Sequence, residues 1–130
     1  PPAVNILTIN ALTAANTVLI PMQCEYYALE GLSQLMQTIK LVKDKINKPL
    51  MLEGILFTMY DNRTNLSSQV VKEVEQHFRD FVYKTKIVRT VRLSEAPSYG
   101  MSCIKYDPKS RGSEQYRDLA KEFLERNKAK

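Results

Sequence analysis

Only four glycines occur in this 130-residue chain, Gly31, Gly54, Gly100 and Gly112, and none is followed by lysine. A loop that closes around a triphosphate is a glycine-rich turn ending in Gly-Lys-Ser/Thr, because backbone N–H groups and the lysine must surround the phosphates. Residues 1–130 therefore carry no such loop. Histidine and cysteine are as scarce: His77, Cys24 and Cys103 stand alone, without the local spacing of a zinc site or a histidine-based triad. No metal ligand is assigned. The two thiols sit among apolar neighbours and read as buried side chains in a reducing compartment, not as a disulfide. No apolar run approaches the roughly 20 residues of a membrane span, and no basic region precedes an apolar stretch as in a secretory leader. Glu25, Glu30 and Glu53 could serve as acid and base, but carboxylates after strands and on helices are far more often solvated or capping groups. No catalytic residue is assigned.

What is present is ordinary globular material, 44% hydrophobic and 25% charged, enough for one domain with a packed core. Nineteen basic against fourteen acidic residues leave a formal charge of +5, which favours anionic partners such as nucleic acid. Proline at positions 1 and 2, in place of methionine, reads as the start of an excised or processed piece.

Along the chain, residues 4–15 read as a short apolar helix and residues 17–22 as a buried strand whose pairing Pro21 would end. The three-and-four spacing of Ala28, Leu29, Leu32, Leu35, Met36, Ile39, Val42 and Ile46 predicts a helix over 28–46. A second buried strand follows at 54–60, then turn and N-cap chemistry at Asp61 and Asn62. The next helix spans 64–78, with Leu66, Val70, Val74 and Phe78 inward. Residues 82–88 read as a third strand with Lys84 and Lys86 on one face, residues 89–100 as a loop, and 102–106 as a short strand. Asp107, Pro108 and Gly112 are breakers before a closing helix from Ser113, with Tyr116, Leu119, Ala120 and Phe123 as its inner stripe. Strands separated by helices give an α/β chain with a mostly parallel sheet and helices on both faces. The first strand is apolar enough to expect neighbours on both sides, so the three-layer sheet looks incomplete.

Two blocks of sequence carry a family resemblance. Residues 8–15, Thr-Ile-Asn-Ala-Leu-Thr-Ala-Ala, are followed at 19–31 by Leu-Ile-Pro-Met-Gln-Cys-Glu-Tyr-Tyr-Ala-Leu-Glu-Gly. Residues 91–98, Val-Arg-Leu-Ser-Glu-Ala-Pro-Ser, are followed at 106–112 by Tyr-Asp-Pro-Lys-Ser-Arg-Gly. With Thr58 to Asn65, this pattern resembles the ParA/Soj chromosome- or plasmid-partitioning ATPases of the deviant Walker A, MinD/ParA superfamily. It covers the C-terminal half, so residues 1–130 are expected to form one portion of the ATPase domain without its phosphate-binding half.

The resemblance implies an ATP- and Mg2+-dependent sandwich dimer in the intact protein, with neither cofactor bound by this chain alone. It implies nonspecific double-stranded DNA and a ParB-type centromere-binding protein as partners, in the cytoplasm on the nucleoid, without a membrane. By position, Thr58, Met59, Val88 and Thr90 match walls of the adenine pocket, and Arg63 and Arg92 match DNA-contacting arginines. Lys84, Lys86 and Arg89 extend that basic stretch toward phosphate oxygens, and Lys121 is an outward candidate on the last helix. Gln23, Glu25 and Tyr26 match part of the dimer contact. The simpler readings are that Arg63 caps a turn, Arg92 pairs with Glu95, and Tyr26 or Tyr27 staples a helix entry. The sequence also departs from the family. Ile87-Val88-Arg89-Thr90 replaces Ile-Pro-Arg-Asn, Ala3 replaces a serine, and Met101 stands where lysine is common. Two further readings are a MinD-like membrane-surface fragment, from the basic amphipathic last helix, and a nucleotide-independent scaffold exchanging a sheet edge.

Overall fold

The computed structural model describes residues 5–128. Helix α1 (Ile6–Ala14) leads into β1 (Thr17–Gln23), α2 (Ala28–Lys45), β2 (Met51–Thr58) and α3 (Asn65–Phe78). A 3-10 turn at Arg79–Phe81 precedes α4 (Val91–Glu95), a second 3-10 turn at Ala96–Tyr99, α5 (Cys103–Tyr106) and α6 (Arg111–Asn127). Five of the helices, all but α2, start on a side-chain cap: Asn5, Thr64, Thr90, Ser102 and Ser110 accept the backbone N–H of Thr8, Ser67, Arg92, Lys105 and Ser113. Thr64, not Asp61 or Asn62, is thus the cap of α3.

β1 and β2 pair in parallel from Thr17↔Met51 to Gln23↔Thr58, with one irregularity between Val18 and Leu19. Strand alternation then sorts side chains into two layers. Ile20, Met22, Ile55 and Phe57 join the core formed with α2 and α3, while Leu19 and Leu56 join Tyr83, Ile87, Leu93 and Leu119 on the other side. This is the α/β arrangement of helices on both faces of a parallel sheet that the pattern of elements predicts. Pro21 does not end the pairing but stands opposite Leu56. The strand lies at the edge of the sheet among the described residues, where a missing N–H is tolerated.

Several elements differ from the sequence reading. Residues 82–88 run beside β2 with two isolated parallel bridges, Ile55↔Val82 and Tyr60↔Val88, and backbone bonds from Tyr83 N–H to Ile55 O and Ile87 N–H to Phe57 O at 2.9 Å each, but are not a continuous strand. The backbone N–H of Lys84 and Thr85 turn away from the sheet and donate to Glu122 Oε1 and Oε2 at 2.8 and 2.9 Å, and Val88 N–H donates to Gln115 Oε1 at 2.9 Å. Side chains of α6 thus satisfy donors that a neighbouring strand would otherwise meet. Residues 102–106 form helix α5, because Ser102 starts a turn closed by Tyr106 N–H to Ser102 O at 2.9 Å. A segment as short as Ser102 to Tyr106 cannot distinguish strand from helix by period. Residues 89–100 hold α4 and a 3-10 turn instead of a loop, ending on Gly100 at φ 62, the left-handed region glycine occupies without penalty.

The inner face of α6 keeps only Leu119 of the predicted stripe. Tyr116 and Phe123 are each 39% exposed and Ala120 faces out, whereas Leu119, Glu122 and Arg126 turn inward. Arg126 donates through Nη2 to Val82 O at 2.7 Å and lies 4.1 Å above the Tyr83 ring. Tyr83 Oη and Asn127 Nδ2 both donate to the buried carboxylate of Glu53. Burial, with the hydrogen bond to that carboxylate, pushes the Tyr83 phenol up to about 12. Gly54 makes this fit possible, since a Cβ there would collide with the Tyr83 ring and stand 2.7 Å from Phe81 O.

Burial pushes the Glu122 carboxyl up, but the donors from Thr85, Lys84 and Arg126 outweigh it and hold the group below its ordinary range. A depressed folded value means that its stabilisation is present above the unfolded carboxylate range and is lost as pH falls through the folded value. Glu122→Ala strands two backbone donors and should cost about 1–3 kcal/mol at neutral pH. Urea unfolding should show the gap to wild type narrowing in acid; a pH-independent gap contradicts the ionised-acceptor role.

Candidate functional site

The carboxyl ends of β1, β2 and the 82–88 segment lie side by side, the position where open α/β sheets gather ligand-binding loops. β1 delivers Gln23 to Tyr27, β2 delivers Thr58 to Arg63, and the third segment delivers Arg89 to Arg92. Between the last two is a cavity of about 280 Å3 lined by Thr58, Met59, Ile87, Val88, Arg89, Thr90, Leu93, Ser94 and Tyr116. All four residues named from the sequence as base-side walls are in it. Apolar side chains carry most of the wall and hydroxyls punctuate it, which suits a flat heteroaromatic group of nucleobase size. Met59 stands at φ 49, the one non-glycine residue of positive φ among those described, and strain of this kind concentrates where a ligand contact fixes the backbone. Tyr116 is a wall that the sequence reading missed: helical period assigned it to the core, and its place at the cavity depends on how α6 is rotated.

Thr90 serves two structures at once. It lines the cavity, and its Oγ1 accepts the Arg92 N–H at 3.3 Å to start α4. Arg92 is therefore anchored to the cavity wall. Its guanidinium donates through Nη1 to Glu95 Oε2 at 2.9 Å and pairs through Nε with Asp107 Oδ2 at 3.2 Å. The Glu95 hydrogen bond and charge, with Asp107 behind them, raise its pKa further. Arg63, 85% exposed on its side chain, donates through Nε and Nη2 to both oxygens of Asp61, at 2.9 and 2.8 Å. The hydrogen bonds from Arg63 hold the Asp61 carboxyl down to about 2. The simpler readings of both arginines are thus present in the structure, and both side chains still face solvent.

The other basic candidates lie on the 82–88 segment, just after it and on α6. Lys84 is exposed, Lys86 is half-buried with Nζ 5.3 Å from the centre of the Tyr60 ring, and Lys121 pairs with Asp118 at 3.3 Å. Arg89 is exposed and makes no ion pair among the described residues. Gln23, the last residue of β1, and Glu25 and Tyr26 beyond it are all exposed. Tyr26 and Tyr27 pack edge to face on each other, 5.2 Å apart, and at 76% and 74% exposure neither staples the entry to α2.

Cys24, Cys103 and His77 lie after β1, on α5 and on α3, and both thiols are buried and free. Burial pushes the Cys24 thiol up despite Lys86 and a Ser67 hydrogen bond. Among the described residues no cluster of three metal-ligating side chains occurs, and no helix is long and apolar enough to cross a membrane. A larger hollow of about 1010 Å3 runs between α2 and α3 past Leu50 and Phe81. It lies at the opposite end of β2 and gathers few polar groups, so it is a packing groove and not the site.

These features define an α/β chain of the P-loop NTPase type. Cobyrinic acid a,c-diamide synthase from Mycobacterium smegmatis is similar with a TM-score of 0.76 and 35% identity, over 99% of this chain and 46% of that one. A structure of the same enzyme with bound ADP and magnesium matches with a TM-score of 0.73. A family model described as an AAA domain matches residues 1–52. The sporulation initiation inhibitor protein Soj of Bacillus subtilis is 64% identical over 94% of this chain and 48% of its own length. The chromosome partitioning protein ParA of Myxococcus xanthus is 54% identical over 100% of this chain and 46% of its own. The chain is a homologue of the Soj/ParA chromosome-partitioning proteins over nearly all of its length. It spans about half the length of the curated relatives it matches.

Gly112 sets how closely α6 approaches this site, since a Cβ there would stand 3.0 Å from both Leu93 Cγ and Thr90 Cγ2. Gly112 is therefore a packing residue within α6 and not the breaker that the sequence suggests. Gly112→Ala must displace two cavity walls and should cost about 1 kcal/mol or more by overpacking. The thermal midpoint checks it; an unchanged midpoint means that the walls yield freely.

Proposed function

We propose that residues 1–130 are the base-binding and DNA-contacting part of a ParA/Soj-type partitioning ATPase, completed by a phosphate-binding half. The observation that carries this reading is the cavity of about 280 Å3, built by Thr58, Met59, Val88 and Thr90, with Thr90 also starting the helix of Arg92. A nucleobase in that cavity rests against the residue that orients a DNA-facing arginine. ATP with Mg2+ would supply the hydrolysable phosphoanhydride, and its phosphates would be held by the other half. The donors needed to enclose them are not found among Gly31, Gly54, Gly100 and Gly112. What this chain contributes is apolar contact to the base from Met59, Val88 and Tyr116 and hydroxyls from Thr58 and Thr90.

Phosphate contact then falls to Arg63 and Arg92 at adjacent strand ends, with Lys84, Lys86 and Lys121 as the other basic candidates. Such contacts give affinity without reading sequence, as expected for a protein that binds the nucleoid nonspecifically in the cytoplasm. Gln23, Glu25 and Tyr26 would meet a second copy across the mouth of the site in an ATP-bound homodimer. A ParB-type protein is the partner that this function requires. The open edge of β1, apolar on both faces, would take a strand from the phosphate-binding half.

The test is duplex binding by the full-length, ATP-loaded protein across a salt series. About four phosphate contacts per dimer give a log-log slope near −3.6, and Arg92→Ala or Arg63→Ala should make it shallower while weakening binding. If the Arg92→Ala and wild-type slopes coincide, Arg92 is not at the interface.

A further inference from the structure

Arg92 is held on two sides. Glu95, the last residue of α4, takes Nη1, and Asp107, just past α5, takes Nε. Glu95 is itself fixed, because the same Oε2 accepts the Tyr106 hydroxyl at 3.2 Å and the Tyr106 ring stacks on Tyr99 at 4.9 Å. Arg89, two residues before α4, has no carboxylate within ion-pair distance among the described residues. The two acids are thus gathered at one arginine of a basic stretch and not spread along it. A guanidinium has five N–H donors, so the Nη2 end stays open to solvent while two others are engaged.

We propose that Glu95 and Asp107 are positioning residues that cage Arg92, so that a DNA phosphate competes with two carboxylates for the guanidinium and the affinity of this surface is set by that competition. The inference rests on the DNA-contact reading above. Side-chain exposures of 52% for Arg92, 37% for Glu95 and 33% for Asp107 leave both pairs open to water and salt. Exposed ion pairs are individually weak. A phosphate oxygen competes for the same donors, since guanidinium bonds to phosphate and to carboxylate are charge-assisted alike. The displaced carboxylates would remain beside the phosphate and repel it. Arg63 with Asp61 repeats the arrangement on the neighbouring strand end with one acid in place of two.

The experiment is a double-mutant cycle in the full-length, ATP-loaded protein, with duplex affinity measured by fluorescence anisotropy at fixed ionic strength. Glu95→Gln keeps an oxygen for the Tyr106 hydroxyl, and Asp107→Asn leaves the Glu95–Tyr106 contact in place. Each should tighten binding about 2- to 5-fold by removing one weak exposed pair. Both gains should vanish in an Arg92→Ala background. A gain that persists undiminished without Arg92 reflects general charge and overturns the cage. Unchanged or weaker binding by the carboxylate variants, with Arg92→Ala still impaired, also overturns it while leaving the DNA reading intact. Wild-type affinity in Arg92→Ala removes the DNA reading and the cage together. Thermal midpoints identify any variant that fails to fold, and the Asp107→Asn cycle decides alone if Glu95→Gln is lost.

Discussion

Two backbone donors that an ordinary third strand would have paired, those of Lys84 and Thr85, end on the single carboxylate of Glu122. Around that carboxylate the distal side of the molecule is assembled. Arg126 binds the same carboxylate and reaches back to Val82 O, Tyr83 packs under Arg126, and Tyr83 ties to Glu53 on β2. Remove the acceptor and the Lys84 and Thr85 donors lose their partner, while Tyr83 and Ile87 keep their backbone bonds to Ile55 and Phe57. The position of Val88 and Thr90, and so the shape of the cavity and the start of α4, follows from how that segment is held.

The elements legible in the sequence are those decided by long apolar periodicity. Helices α2 and α3 and strands β1 and β2 fall within a few residues of their expected bounds, because continuous burial on one face leaves a repeating signature. Thr58, Met59, Val88 and Thr90 were placed by resemblance and converge on one cavity. What the sequence does not display is polar docking. Glu122, Gln115 and Arg126 look like solvated residues on a helix, and nothing local marks them as partners of a backbone far upstream. The error over α6 has that cause: Tyr116 and Phe123 look like its core face by period, yet hydrogen-bond geometry rotates the helix so that charged side chains face in. The short helix α5 was hidden for a different reason, since four residues carry too little period to choose between strand and helix.

The two arginines at the strand ends are already paired with acids. The formal charge of +5 coexists with Arg63 and Arg92 already matched to nearby acids, so the number of cations overstates what a polyanion meets. Arg89 and Lys84 stand outside those pairs and are exposed. A surface built this way favours weak, reversible contact with a polyanion.

The manner in which α6 is attached bears on how the molecule responds to temperature. Packing of α2 and α3 on the sheet rests on apolar burial, which weakens on cooling and carries a large heat capacity. The C-terminal helix is fastened largely by carboxylate, guanidinium and amide groups, whose exposure to water changes heat capacity in the opposite sense. Its attachment should therefore persist in the cold under conditions that loosen the opposite layer, so the two faces of one sheet would soften at different ends of the temperature scale.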